Sequence, residues 1–593
     1  MSTGYDGSRR VTTGPWNALA FVTILLVAVV TLGAQQQPVR DTSKAPATNS
    51  MPSGTGVVGG SVMADDGRPV RFAYVLLIGT TTGIAKVSST DADGKFTFSN
   101  LPADRYTVGA SKAPYLAMVA GAKRPGRPGT PIVIANGQKV TDVAIRMVSG
   151  GAITGVVTDE RGQPGSGAMV GALQWRMQNG ERALVPAGSM TVTDDEGRYR
   201  IFGLLPGEYF VTAMRQGLPQ ATRALTITEV DAALAGGNAA VSNPPPVQRY
   251  APVYFPGTTR AGDAVPIVVN AGEERNNADF RLETVPTSRV EGTVVTADGQ
   301  PANAVIVIMA ASANSVMQTA VTARVTPDGR FAIPNAQPGS YVLIVNGQGA
   351  LAGQFARGTL EVTGADILGV QLAMRPALSM NGRLAFDAAV APPVGGRRIP
   401  LRALSGAVAT SGVSLSTTTQ AGAFTVTNLM PGRYMLGGPL SFGPTTDTMT
   451  WALQSVVADG RDVTDLPIEI GDTAPKDVVV TYTNKWQELS GRLQSQSGAP
   501  VSDYTIIVFP EDKTYWIHGT RRIVTTRPGT DGGFVVSGKG LTTLPAGKYL
   551  LAAVTDIGRD EQFDPSFLAQ VVSAAIPVTL AAGEKKVQNL AIR

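Results

Sequence analysis

The 593-residue chain has no cysteine and a single histidine, His518. The first absence excludes disulfides and thiolate metal sites. It assigns no compartment, because domains of ~90 residues or more can be stable without cross-links. The second weighs against zinc hydrolases, which usually need two or three imidazoles. It also leaves any Ser-His-Asp triad one candidate base. Charge is scarce, at 16% of residues, which argues against a disordered polyelectrolyte. Apolar residues at i, i+3, i+4 and i+7 over long stretches are nearly absent, so long helices are not expected. The basic excess is small. Net charge is +5, and removing the +1 of Asp6, Arg9 and Arg10 in the leader leaves +4, which is no nucleic-acid footprint. The one tight basic group, Lys123-Arg124-Pro-Gly-Arg127, reads as a solvated loop.

What is abundant is turn and strand chemistry. There are 68 Gly and 40 Pro, set among short alternating runs rich in Val and Thr. The length allows about four to six domains. One stretch, Asp194 to Tyr209 (DDEGRYRIFGLLPGEY), recurs in related form at Asp91–Tyr106, Asp328–Tyr341, Gln420–Tyr434 and Asp531–Tyr549. In Asp-x-x-Gly-x-Phe/Tyr the carboxylate can bond the turn backbone, and Gly supplies the positive φ that reverses the chain. The aromatic and the residue two further on share one strand face: Phe96 and Phe98, Tyr199 and Ile201, Phe331 and Ile333, Phe424 and Val426, Phe534 and Val536. Each buried pair is worth ~3–6 kcal/mol before entropy. Leu-x-Pro-Gly then turns the chain. The closing Tyr is expected to bury its ring and bond nearby backbone, as a sheet-corner tyrosine does.

Two further signals flank each copy. Before it comes Gly-x-aliphatic and a turn that usually ends Gly-x-Pro: Gly60 with Gly67-Arg-Pro69, Gly155 with Gly162-Gln-Pro164, Gly292 with Gly299-Gln-Pro301, Gly382 with Pro392-Pro393, and Gly491 with Gly498-Ala-Pro500. That first Gly suits a bulge or a close backbone approach. After each copy comes a β-rich pair joined by a polar turn, such as Ile132-Val-Ile and Val143-Ala-Ile. About seven short strands per unit predict an all-β chain: a tandem array of about five seven-stranded immunoglobulin-like, transthyretin-like β-sandwiches. The expected divisions are leader 1–34, flexible spacer 35–55, and sandwiches at 56–148, 149–286, 287–376, 377–484 and 485–593, with a loop insertion at 217–262 in the second.

These paired signals resemble the carboxypeptidase regulatory-like domain, a family grouped with starch-binding-like folds and with the B-type repeats of collagen adhesins. The resemblance covers roughly residues 56–593. Units one to three match best. Unit four has Gln420-Ala421-Gly422 in place of the Asp turn, unit one has Asp104 where Gly is usual, and unit five has an insertion before Leu544-Pro-Ala-Gly547. The last unit also resembles a type found in large bacterial secreted repeat proteins, through Phe509-Pro-Glu-Asp512, Trp516, Arg521-Arg522 and Asp564-Pro-Ser-Phe-Leu568, the last run forming a helical turn. The resemblance implies no peptidase activity, because in metallocarboxypeptidases this domain is an appendage to the zinc-bearing one. The first strands also carry no suitable Lys for the isopeptide cross-link of adhesin repeats.

No motif rises to a catalytic constellation, and neither a cofactor nor a metal is expected. The Asp91-Ala-Asp93-Gly94 and Asp194-Asp195-Glu196-Gly197 turns lack the ligands of a full calcium loop. Gly54-Thr-Gly56-Val-Val-Gly59 matches G-x-G-x-x-G without the strand–helix context that motif needs. His518, beside Tyr515 and Trp516, reads as an exposed or hydrogen-bonded loop residue. The best candidate binding residues are Trp175, Tyr250, Tyr254 and Phe255, aromatics of unit two that could face sugar rings; the alternative is a loop packing its rings on the sandwich. Ala221 to Ala235 is the place for a short helix. Residues 1–34 read as a secretory signal: Arg9-Arg10, an apolar core from Ala18 to Leu32, then Gly33-Ala34. The core of 15 residues is short of the ~20 needed to span, with an uncleaved anchor as the alternative and no other membrane contact. The functional expectation is a secreted or periplasmic, non-catalytic protein binding carbohydrate or another extracellular polymer. The alternatives are an envelope scaffold contacting other envelope proteins and, least favoured, a carboxylate-based hydrolase.

Overall fold

The first domain shows how the signals build a sandwich. β1 (Gly56–Ala64) lies between β4 (Lys95–Leu101), antiparallel, and β8 (Lys139–Met147), parallel. The facing sheet runs β3 (Ala85–Ser89), β2 (Tyr74–Gly79), β5 (Asp104–Ser111), then β6 (Met118–Val119) and β7 (Ile132–Ile134), both on β5. Strands near 57–63, 73–78, 84–90, 95–99, 105–110, 132–135 and 143–148 are the ones expected from the alternation. The β-rich pair after the Tyr is no hairpin, however. β7 joins one sheet and β8 the other, so this pair carries the chain across the sandwich. Phe96, Phe98, Val75, Leu77, Tyr106, Val108 and Ile145 fill the space between.

The computed structural model describes residues 54–592, apart from positions 81, 179–180, 216–247, 303–304, 312–319, 393, 405–413, 416–417, 439, 443–448 and 538–543. The leader, most of the spacer, and the Ala221–Ala235 and Pro244–Pro246 stretches lie outside the described residues. Gly54-Thr-Gly56-Val-Val-Gly59 is not in a spacer: β1 starts at Gly56, and Gly54 packs on Leu101 and Pro102.

The other four sandwiches repeat the scheme. The opening strand of each (Gly151–Thr158, Ser288–Val295, Leu378–Asp387, Glu488–Gln494) pairs antiparallel with the Gly-x-Phe/Tyr strand and parallel with a late strand. The chain is thus an all-β array of tandem sandwiches. Domain four departs most. Its late strand Val478–Thr483 also pairs with Met449–Ala458, an added strand that enlarges the sheet to seven. The described residues hold one α-helix, α1 (Pro565–Val571), capped by Asp564 through the Ser566 amide. It is nearly two turns, longer than the single turn expected. No described helix is long and apolar enough to cross a membrane.

Register explains why the recurring Gly and the recurring aromatic travel together. They are cross-strand partners: Gly60 faces Phe96, Gly155 Tyr199, Gly292 Phe331, Gly382 Phe424 and Gly491 Phe534. A methyl group on Gly382 or Gly491 would lie 2.3 or 2.7 Å from the partner ring, and on Gly60 or Gly491 1.9 Å from a carbonyl of the parallel strand. The ring fills the volume the Gly vacates. The corner tyrosines behave alike in all five domains. Tyr106, Tyr209, Tyr341, Tyr434 and Tyr549 donate to the carbonyls of Pro102, Leu205, Gln337, Met430 and Pro545, each four residues back, at 2.5–2.9 Å. Burial raises these hydroxyls where a shift is resolved, to about 12 for Tyr209 and Tyr549.

The array folds back on itself within Met51–Arg593, which forms one unit. The basic loop of domain one is only partly solvated: Lys123 and Arg124 stay exposed, while Arg127 is tucked against domain five. Asp556 of domain five accepts from Arg127 at 2.9 Å and pairs with Arg124 at 3.2 Å. Arg105 donates to the Gly533 carbonyl. Arg527, only 7% exposed, donates to Pro128 O at 2.9 Å and Gly121 O at 3.3 Å, and the Thr530 amide donates to Pro131 O at 3.1 Å. Domain four meets domain five through Asp465, which takes Arg521 at 2.6 Å and Arg522 at 2.8 Å.

Candidate functional site

Since Gly, aromatic and corner Tyr build the fold in every domain, a site must come from what differs between domains. One recess, a groove of about 610 Å³, lies on the outer face of domain two. The parallel edge strand is interrupted here, as it is in domain five, and what sets this groove apart is its lining, Arg200, Glu274, Asn276 and Asp279 among them. Glu274–Arg275 pairs with Ala152–Ile153, and Phe280–Arg281 pairs with Val157–Thr158. Between them Asn276–Asp279 bulges outward, with Asn277 in the left-handed region (φ 63), which Asn tolerates better than most residues.

Side chains replace the missing ladder. Asp279 Oδ1 accepts from the Val156 amide at 2.7 Å, and the Thr154 hydroxyl donates to Asn276 Oδ1 at 2.7 Å. Below them the buried Tyr199 hydroxyl donates to Ala278 O at 2.6 Å, and burial keeps it protonated far above the ordinary tyrosine range. Arg200 pairs with Glu274 at 3.0 Å, and Arg198 pairs with Glu196. The floor is thus a strip of guanidinium, carboxylate, amide and hydroxyl groups, with Thr191 and Asp194 at one wall. It offers donors and acceptors in alternation, and it has no imidazole, because His518 is in domain five. Forked donors beside acceptors suit a hydroxyl-rich ligand.

The four aromatic candidates lie elsewhere. Trp175 and Tyr254 meet on the outer face of the other sheet, with Leu173, Leu184 and Phe210; Trp175 stands edge-on to Phe210 at 6.2 Å. Tyr254 is 4% exposed and Tyr250 6%. Tyr250 donates to Glu160 Oε2 at 2.8 Å under the Arg215 guanidinium. Phe255 is half-buried against the domain core. The stiff proline-flanked segment is a cover for the sheet, and the groove is on the opposite sheet. The Asp91 and Asp194 carboxylates are spent on the amides of their own turns. His518 is neither exposed nor hydrogen-bonded. It is half-buried 5.0 Å from the Phe563 ring, and neither nitrogen finds a partner among the described residues. Its neighbours Trp516 and Phe563 belong to the cluster that packs α1 on the sheet.

The description of the carboxypeptidase regulatory-like domain matches residues 57–147 and 152–242. Two stretches of the chain, together about a third of it, are similar to carboxypeptidase regulatory-like domains. The groove therefore belongs to the second such stretch and to the strands that complete its sandwich. No curated protein matches the sequence. Solved structures similar to it include a streptococcal ancillary pilin (11% identity, 54% of this chain and 99% of that one, TM-score 0.20). The minor pilin of Streptococcus agalactiae is another (14%, 39% and 98%, 0.20). A third is two B repeat units of the collagen binding protein of Staphylococcus aureus (12%, 72% and 100%, 0.12). Scores this low carry no weight for arrangement or activity.

Sequence reasoning missed the groove because it depends on a bulge in a paired strand. The available signal was Asn276-Asn277, two turn-forming residues inside what otherwise reads as one continuous strand.

Proposed function

We infer that the chain is a non-catalytic, extracytoplasmic binding protein that holds a hydroxyl-rich extracellular polymer, a polysaccharide, in the groove of domain two. The groove itself carries this reading: an open, shallow strip across three strands, in which Arg200, Thr154, and Glu274 and Asn276 of the interrupted strand place donors beside acceptors. An extended chain of hydroxyls can lie along such a strip without burying an unpaired polar group. The Arg9-Arg10 leader and the spacer after it support export. Trp175, Tyr250, Tyr254 and Phe255 now read as packing residues, of which Trp175 and Phe255 stay partly open for a secondary contact. A glycan array on residues 35–593 tests the reading. Retention of one polysaccharide class, lost in Arg200→Ala with an unchanged circular dichroism spectrum, supports it, and a folded chain that retains none overturns it.

One observation favours a second reading, an envelope scaffold. The clasp of domain five on domain one gives the array a fixed form that a string of independent binding modules would not need. Sugar-independent co-purification of one envelope protein would select it.

A further inference from the structure

The outer face of the second sheet is treated differently in domain one than in domains two, three and five. In domain two, Leu173 and Phe210 are covered by Tyr254. In domain three, Val342, Ile344 and Phe355 are covered by Met430 of domain four. In domain five, Ile507, Phe509 and Ala552 are covered by Leu568 and Val571 of α1. The corresponding face of domain one has no satellite cluster among the described residues. Register places Val87, Leu76, Gly109 and Val119 in one row across it, with Tyr74 and Ser89 in the next row and Ile78 and Thr107 on the other side. Val87 is 56% exposed and Tyr74 43%.

Two further observations mark this face. First, Phe72 stands at its end, 72% exposed, with φ 52. Its amide donates to Thr90 O, as Gly167 does to Thr193 O and Gly396 to Thr418 O, so Phe occupies a left-handed position that two sister domains give to Gly. Such strain in a large, solvent-facing residue calls for a use outside the fold. Second, the face continues an established interface. Arg105, next outward on β5, reaches Gly533 of domain five, and Val133 of β7 meets Gly529. Domain five closes one side, and the β2–β3 side stays open.

The open rows carry no charge. Lys86 turns away, donating to Ser99 O at 2.6 Å, and so does not guard the β3 edge as an edge lysine would. A basic chain that selected its partner by charge would have nothing to read here. A neutral apolar face fits, and the same face on another copy is one. We propose that the open face and β3 edge of domain one form a two-fold contact with a second copy of this chain, bringing two clasped arrays together.

The test is sedimentation of residues 35–593, which retain every described contact, from about 1 to 100 µM, where specific dimers of ordinary affinity assemble. A monomer–dimer equilibrium is expected, weakened at least about tenfold in Tyr74→Lys/Val87→Lys, whose changes lie outside the core. Because the chain has no Cys, Val87→Cys provides a unique thiol in the middle of β3. It should oxidise to a covalent dimer, whereas Lys139→Cys on the opposite sheet should not. A single monomeric species throughout, association unaffected by the double lysine variant, or association only in the presence of a glycan overturns the proposal.

Discussion

Replacing Arg527 by Ala should unlatch domain five from domain one. The guanidinium is 7% exposed and bridges three carbonyls, with Ser502 O at 2.9 Å in its own domain and Pro128 O and Gly121 O across the interface. Hydrogen bonds from a charged donor are worth ~1.5–3 kcal/mol each. Two of them cross the interface. The longer, at 3.3 Å, belongs at the low end. Desolvation works the other way: burial lowers the Arg527 pKa, and its Nε has no partner among the described residues. A net loss of about 3 kcal/mol for the closed form is the reasonable figure, or roughly a hundredfold in the closing equilibrium. The Arg124–Asp556 pair adds little, since Arg124 is largely exposed and such pairs are worth ~1 kcal/mol or less, and the half-buried Arg127–Asp556 bond is untouched by the substitution. The Thr530 amide, which donates to Pro131 O across the interface, reports opening by hydrogen exchange. In Arg527→Ala it should exchange about a hundred times faster, while amides of the central strand Glu488–Gln494 keep their protection. Unchanged exchange at Thr530 in a folded variant would refute the latch.

Three other outcomes follow from the same contacts. Gly292→Ala places a methyl 2.1 Å from Val370 O and 2.8 Å from the Phe331 ring, and should destabilise by ~2–4 kcal/mol in a denaturant melt. The corner tyrosines make the fold alkali-sensitive. Tyr549 is raised to about 12 by burial, so its stabilisation is whole below the unfolded value near 10 and is lost as pH rises from there through 12. Tyr549→Phe should flatten that stretch of the stability–pH curve, at a cost of ~1 kcal/mol at neutral pH for the hydrogen bond to Pro545 O. Phe72→Gly should relieve ~1–2 kcal/mol of left-handed strain, less ~1 kcal/mol for the added freedom of the unfolded chain, leaving the melt equal or slightly raised while self-association falls.

Much of the fold was legible in the residues, because local chemistry decides it. A Gly in the opening strand, an aromatic after the Asp-Gly turn and a Tyr after Pro-Gly each have one structural use, and all recur. That the Gly and the aromatic are partners needed register, which single strands do not carry. The left-handed position before the Pro turn was also missed. Asn100, Asn335 and Asn428 occupy it where domain two has Gly203, and the Asn–Gly exchange was the signal. The clasp was illegible for a different reason. Arg127 and Asp556 are 429 positions apart, and a basic Pro/Gly loop in isolation looks solvated whether or not a carboxylate arrives from another domain. The aromatic run at 250–255 shows the limit of composition: Tyr and Phe between prolines suit a sugar platform and a sheet cover equally, and only burial separates the two.

Hydrogen exchange on the chain saturated with a retained polysaccharide tests the binding reading most directly. Protection gained at Ala152–Val156 and Glu274–Phe280, and lost in Arg200→Ala, is the predicted result. Protection confined to other domains, or identical in wild type and Arg200→Ala, would contradict it.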